Sequence, residues 1–158
     1  MYHYFPLYIP CQGKLFLIVG GGKIALRRLR VLARFSFRIK LVATIISPEI
    51  KALAANSKYE NIELCERPFR PSDLEGVNYV LAATSDHDLQ TEIAKLCHDR
   101  EIPCSVASDK KLCSFYFPGL ILKDDFVVSV SSQGQSPAAT KELLLYLRQA
   151  LEEKHDQD

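Results

Sequence analysis

Three consecutive glycines, set between an apolar pentapeptide and a stretch of helical spacing, constrain this chain more than any other feature. Leu15-Phe16-Leu17-Ile18-Val19 reads as a strand, and Gly20-Gly21-Gly22-Lys23-Ile24-Ala25 as a turn. Leu26-Arg27-Arg28-Leu29-Arg30-Val31-Leu32 continues a helix expected from about Gly22 to Phe35. Strand, glycine turn and helix in that order make the G-x-G-x-x-G/A pattern of a dinucleotide-binding unit. Gly20 permits the tight turn, and Gly22 lets the backbone approach a pyrophosphate with no Cβ in the way. Ala25 is small enough for the helix to pack closely on the strand. The amino end of the helix then turns its N–H groups and positive dipole toward the phosphates. A strand–helix turn without a ligand is the plainer alternative.

With 158 residues, 47% hydrophobic and 25% charged, the chain fits one soluble globular domain with a small appendage. A net charge of +1 argues neither for nucleic acid nor for a membrane surface as a partner, and neither is expected. The distribution says more than the sum. Up to Lys51 there are nine bases (Lys14, Lys23, Arg27, Arg28, Arg30, Arg34, Arg38, Lys40 and Lys51) and one acid, Glu49. A basic region around a phosphate turn suits an anionic cofactor or a polyanionic substrate. For Arg28 and Arg34 a solvated helix face serves as well.

No apolar stretch is long enough to span a bilayer, and the N-terminus lacks a signal-peptide pattern. Cys11, Cys65, Cys97, Cys104 and Cys113 form neither a C-x-x-C pair nor a zinc spacing. An odd count without a framework points to reduced thiols in the cytoplasm. His3, His87, His98 and His155 share no helical face with a carboxylate pattern, so no fixed metal site is expected.

Further along, Arg38–Ala43 reads as a second strand, Ser47-Pro48-Glu49 as a helix start, and Ile62–Glu66 as a third strand. Val77–Ala83 is a nearly continuous apolar run, as in a central parallel strand. Asp88 to Arg100 is helical, with Leu89, Ile93, Ala94, Leu96 and Cys97 on its apolar side, and Pro103–Ala107 is a further strand. Strands alternating with helices predict a Rossmann-like α/β domain, a parallel sheet with helices on both faces, over residues 1–112. Phe115–Leu122 and Phe126–Ser131 then read as a short antiparallel β pair, and Ser136-Pro137 opens a final helix; these fall in a second region, 113–158. The opening Tyr4–Ile9 segment is expected to tuck under the sheet.

Ligands of such a sheet bind beyond the carboxyl ends of its strands. Gly20 to Lys23, Ala43-Thr44-Ile45 and Thr84-Ser85-Asp86 meet there. The loop after the second strand has neither the acid that accepts from a ribose 2′-OH nor an arginine for a 2′-phosphate. Backbone groups and the Thr44 hydroxyl are the substitutes, and NAD is preferred to NADP.

Five segments in order resemble one family. They are Phe5-Pro6-Leu7, Val19 to Arg28, Leu81-Ala82-Ala83-Thr84-Ser85-Asp86, Cys113-Ser114-Phe115-Tyr116-Phe117-Pro118, and Ser131-Ser132-Gln133-Gly134-Gln135-Ser136-Pro137-Ala138. Together they look like the precorrin-2 dehydrogenase/sirohydrochlorin ferrochelatase family, the N-terminal module of siroheme synthases. The resemblance implies hydride transfer from precorrin-2, a tetrapyrrole with many carboxylates, to NAD, giving sirohydrochlorin; some members also insert ferrous iron. It implies a homodimer through the late β pair and its helix. By position, Lys23, Ile24, Thr44 and Ile45 match NAD contacts, while Thr84, Ser85 and Asp86 border the nicotinamide side. Arg27 suits the polycarboxylate, and Ser132 matches a serine where an anion can bind; a turn residue satisfying its own backbone is the alternative for Ser132.

Two departures stand out. The family's Asn-Val-x-Asp segment, whose aspartate is general base, reads Ser105-Val106-Ala107-Ser108 here. The aspartate's register falls on Ser108, and Asp109 comes one residue later. A one-residue shift turns a side chain to the other face of a strand, although a strand end can turn back. Asp109 is therefore the expected proton acceptor, with weak or lost catalysis as the alternative; a non-catalytic dinucleotide- or tetrapyrrole-binding protein stays open. The second departure is length, because the sequence ends soon after the Leu143–Leu151 helix, short of most of the family's helical domain. That predicts an open cleft and leaves chelation in doubt.

Overall fold

Residues 2–153 are described by the computed structural model, in two units: residues 9–116, and residues 2–8 together with 117–153. In the first, the apolar run Leu15–Val19 forms β1, followed by α1 (Lys23–Leu32), β2 (Arg38–Ala43), α2 (Pro48–Ala54) and β3 (Ile62–Glu66). Then come β4 (Tyr79–Ala82), α3 (His87–Asp99) and β5 (Cys104–Val106), with short 3₁₀ turns at Ser57–Tyr59, Pro71–Leu74 and Lys110–Leu112. All pairings in the sheet are parallel, and its order is β3-β2-β1-β4-β5. The chain winds outward from β1 to β3, then returns to the other side of β1 with β4. That reversal opens a crevice above the carboxyl ends of β1 and β4.

Burial explains why β1 is apolar throughout. Phe16, Leu17, Ile18 and Val19 are all buried, although alternate residues point to opposite faces. Leu17 and Val19 join a cluster with Ile93, Ala94 and Cys97 of α3. Right-handed crossovers running in opposite directions from the sheet centre put α1 and α3 on opposite faces. Ala25, Leu29 and Leu32 of α1 are buried at helical spacing. An aromatic cluster closes the lower edge, with Phe16 edge-on to Phe37 at 5.5 Å and to Phe115 at 6.3 Å.

Phe115 therefore belongs to the sheet unit rather than to a strand. The late β pair begins only at Gly119, after Pro118, because proline supplies no N–H to a ladder. In the second unit β6 (Gly119–Lys123) pairs antiparallel with β7 (Phe126–Val130) across Asp124-Asp125, where Asp124 has a φ of 50°. Helix α4 (Pro137–Glu153) follows, and a Cβ on Gly119 would strike the Leu144 side chain, so strand and helix lie in close contact. Residues 2–8 group with this pair rather than with the sheet unit. The Tyr8 hydroxyl donates to Val127 O at 3.0 Å, and His3 N–H donates to Gln133 Oε1 at 2.8 Å. Among the described residues no helix is long and apolar enough to cross a membrane.

Candidate functional site

The glycine turn is shaped by contacts on two sides. Gly20 has φ +126°, a region open to glycine, and a Cβ there would lie 2.5 Å from the Ala83 carbonyl carbon and 2.7 Å from Thr84 N. A Cβ on Gly21 would run into Ile45 O. Gly20 N–H donates to Val42 O at 2.9 Å, and Gly21 O accepts from Ser47 N–H at 3.1 Å. The turn is thus pressed against the loops after β2 and β4. Gly22 differs, because nothing lies within 4 Å of the place a Cβ would occupy. No side chain caps α1 at Gly22, and its first turn has no acid. The first-turn N–H groups have no intrahelical partners, so an anion is what this helix start accommodates.

Around this turn stand the other expected contacts. Lys23 and Ile24 are exposed on the first turn of α1, while Ala25 is fully buried beneath them. Thr44 and Ile45 are exposed, with Ile45 79% accessible despite its apolar side chain. The backbone behind them is fixed by Glu66, which accepts from Ile46 N–H at 3.1 Å and from Lys51 Nζ at 2.8 Å. Hydrogen bonding from Lys51, then from Ile46, holds the Glu66 carboxyl below its ordinary range. Thr84, Ser85 and Asp86 follow β4; Thr84 Oγ1 accepts from Asp86 N–H at 3.2 Å, and Asp86 caps α3 through Leu89 N–H at 3.0 Å. Arg27 is exposed, whereas burial and then the adjacent Arg27 lower Arg28 to about 10.

The segment after β5 completes the rim. Ala107 N–H donates to Ala82 O at 2.9 Å, which brings Ser108 beside the start of α3. Asp109 is exposed, and its carboxylate accepts from Lys111 N–H at 2.8 Å, capping the 3₁₀ turn that follows. Cys113 fastens this stretch: its sulfur accepts from Val106 N–H at 3.1 Å and donates toward Val106 O at 3.2 Å. Hydrogen bonding with Cys97, then burial, pushes the Cys104 thiol far above its ordinary range, so Cys104 is not arranged as a nucleophile. All five cysteines are free.

Two residues the sequence did not single out join Ser108. His87 Nδ1 lies 3.2 Å from Ser108 Oγ, and Ser108 Oγ donates to Gln90 Oε1 at 2.5 Å. Gln90 is 3% exposed, and its Nε2 donates to Thr84 O. The available signal was a glutamine on the helical stripe of Ile93, Ala94 and Cys97, where an apolar residue belongs.

Ser132 stands in the other unit and spends its hydroxyl locally. It donates to Ser136 O at 2.9 Å and accepts from Ser136 N–H and Thr140 Oγ1, each at 3.0 Å. That is the turn-residue arrangement. Among the described residues no group of three or more His, Cys, Asp or Glu side chains is placed to hold a metal ion.

With this geometry in place, comparison with known proteins settles the family. A family model described as "Putative NAD(P)-binding" matches residues 7–119. The chain belongs to that family. Siroheme synthase of Pseudomonas aeruginosa is 36% identical over 138 residues, covering 87% of this chain and 29% of the synthase. Siroheme synthase of Neisseria meningitidis is 33% identical over 150 residues, covering 95% of this chain and 30% of the synthase. The chain thus spans under a third of the length of these curated relatives. Among solved structures, SirC, a precorrin-2 dehydrogenase, superposes with a TM-score of 0.73 at 23% identity, over 93% of this chain and 71% of that one. The likeness to siroheme synthases read from the motifs is therefore found, and the Rossmann-like fold with it.

Proposed function

We propose that this chain binds NAD and carries out NAD-dependent dehydrogenation of precorrin-2 to sirohydrochlorin in siroheme biosynthesis. One observation carries the reading: at the reversal of the sheet, Gly20 and Gly21 pack on the flanking loops while Gly22 faces open space at an uncapped helix start. The cradle has the shape and donors for a dinucleotide's pyrophosphate, and the likeness to siroheme synthases supplies the substrate class.

Within that reading each residue has a task. The backbone of Gly20, Gly21 and Gly22 and the first turn at Lys23, Ile24 and Ala25 hold the pyrophosphate, with the Lys23 ammonium adding charge. Thr44 and Ile45 border the adenosine ribose. Their lack of an acid or an arginine is met by backbone and hydroxyl contacts, with NAD preferred to NADP. Thr84, Ser85 and Asp86 border the nicotinamide, and Arg27 draws the substrate's carboxylates. When bound, oxidised nicotinamide supplies a hydride acceptor, and holding substrate against it is chiefly a matter of proximity. The proton is to be taken at the rim where the segment after β5, with Ser108 and Asp109, meets the start of α3. Residues 1–112 serve as the NAD domain and 113–158 as the dimerisation region, and the work takes place in the cytoplasm.

A second reading, a non-catalytic binder of dinucleotide or tetrapyrrole, is favoured by the use of the Asp109 carboxylate as a turn cap. One experiment separates them. Calorimetry should show NAD binding to wild type and a loss of at least about tenfold in Gly22→Val. Incubation with precorrin-2 and NAD should then produce NADH. Binding without NADH leaves the binder, and no heat with NAD removes the dehydrogenase and the dinucleotide binder and leaves only a binder of tetrapyrrole. Ferrous iron added to the same mixture reads out chelation.

A further inference from the structure

The dehydrogenation proposed above needs a group that takes a proton, and the donor–acceptor order around Ser108 identifies one. Thr84 O is a carbonyl and only accepts, so the Gln90 amide must turn its NH₂ toward it. Gln90 is buried, so its Oε1 is left to face Ser108 as an acceptor. Ser108 has one hydroxyl hydrogen, and it goes to Gln90 Oε1 at 2.5 Å. The remaining neighbour, His87 Nδ1 at 3.2 Å, must then donate to Ser108 Oγ. A neutral imidazole protonated on Nδ1 carries its basic lone pair on Nε2. The buried glutamine thereby fixes the tautomer of an exposed histidine through one serine.

We propose that His87 Nε2 is the proton acceptor of this site, with Ser108 and Gln90 as positioning residues. This rests on the dehydrogenase reading. His87 opens α3 directly after the Thr84-Ser85-Asp86 loop, and Ser108 follows β5 on the same rim. The substrate loses one hydrogen as hydride to the oxidised nicotinamide and a second as a proton to Nε2. The imidazolium keeps its Nδ1–H on Ser108, so protonation rearranges nothing in the network, and the exposed ring returns the proton to water. The charged residues next to this pair in sequence are Asp86 and Asp88 at the start of α3 and Asp109, Lys110 and Lys111 after β5. The Asp109 carboxylate already caps the 3₁₀ turn through Lys111 N–H.

The test has two readouts. Ring ¹⁵N shifts of His87, assigned by their loss in His87→Gln, should show hydrogen on Nδ1 in the wild-type protein without any ligand. Ser108→Ala should move the hydrogen to Nε2, and Ser108→Thr should restore it. With NAD and precorrin-2, His87→Gln should lower kcat by about 10²-fold or more and remove the acidic limb of kcat/KM, while NAD affinity holds. His98→Gln, on the exposed side of the same helix, should change neither. Hydrogen on Nε2 in wild type, unchanged turnover in His87→Gln, or a comparable loss in Asp109→Asn alone would overturn the assignment. A wild type that makes no NADH with precorrin-2 overturns the dehydrogenase reading and this proposal together. An active wild type beside an unaffected His87→Gln overturns this proposal only.

Discussion

The two units of the chain build their interiors differently. Residues 9–116 enclose a five-stranded sheet whose central strands are buried on both faces, and they also bury Asp73 and Gln90, each hydrogen-bonded. In the unit of residues 2–8 and 117–153, Ile121 is the one buried hydrophobic residue among those described. Phe126, Leu143, Leu145 and Tyr146 remain exposed there. The first unit draws its stability from close packing, the second from a strand pair, a helix and local hydroxyl contacts. A buried core tolerates little change, whereas a thin one leaves apolar surface for another molecule, in keeping with the dimerisation region proposed above.

Substitutions in the two units should bring out this contrast. The largest loss is expected at Leu17, fully buried in the middle of β1: Leu17→Ala should cost about 4 kcal/mol in denaturant unfolding. A loss under about 1 kcal/mol would mean that the sheet interior is as loose as the second unit. Next comes Asp73, which accepts from Arg67 at 2.6 and 2.8 Å, from Lys40 at 2.9 Å and from Arg70 N–H. Arg67 above all, then Lys40 and the Arg70 N–H, hold its carboxyl well below the ordinary range against the opposing effect of burial. The folded state thus prefers the ionised form. Its contribution is complete above about pH 5 and is lost as the pH falls below about 4. Asp73→Ala should cost roughly 3 kcal/mol at neutral pH, and less under acid, measured by unfolding at a series of pH values. A cost that did not shrink in acid would remove the ion cluster from the account. The smallest effect belongs to the second unit, where Ser132→Ala should cost about 1 kcal/mol by stripping the Ser136 N–H and Thr140 contacts at the head of α4. Exchange of the α4 amides would detect it first.

Much of the sheet unit is legible from residue order, because strand and helix periods differ and both faces of the sheet are covered. β1, β2 and β3 fall on the residues their apolar patterns mark, and the glycine turn lies where its spacing puts it. Ends are harder. Helix α1 stops at Leu32 rather than Phe35, since the backbone N–H groups of Arg34 and Phe35 bond to Val31 O and Leu32 O in a tightened last turn. Phe115 has a strand former's side chain, but ring packing on Phe16 and Tyr79 decides its place. The reason for each glycine is also partly hidden. Gly20 and Gly21 answer to Ala83 and Ile45, far along the chain, and only Gly22 has the open space its motif suggests. Least legible is the Ser108 network, because His87 and Ser108 are 21 residues apart and His87 belongs to no motif. A tertiary contact between two loops leaves no period to read.

Since Gly20 leans on the end of β4 and Gly21 on the loop after β2, three rim segments are keyed into one rigid collar. A coenzyme arriving there meets a seat already cast and surrenders little of its binding energy to moulding the host. Wear on that collar, through a side chain added at either glycine, would show as misfitting of the entire mouth rather than as the loss of a single contact.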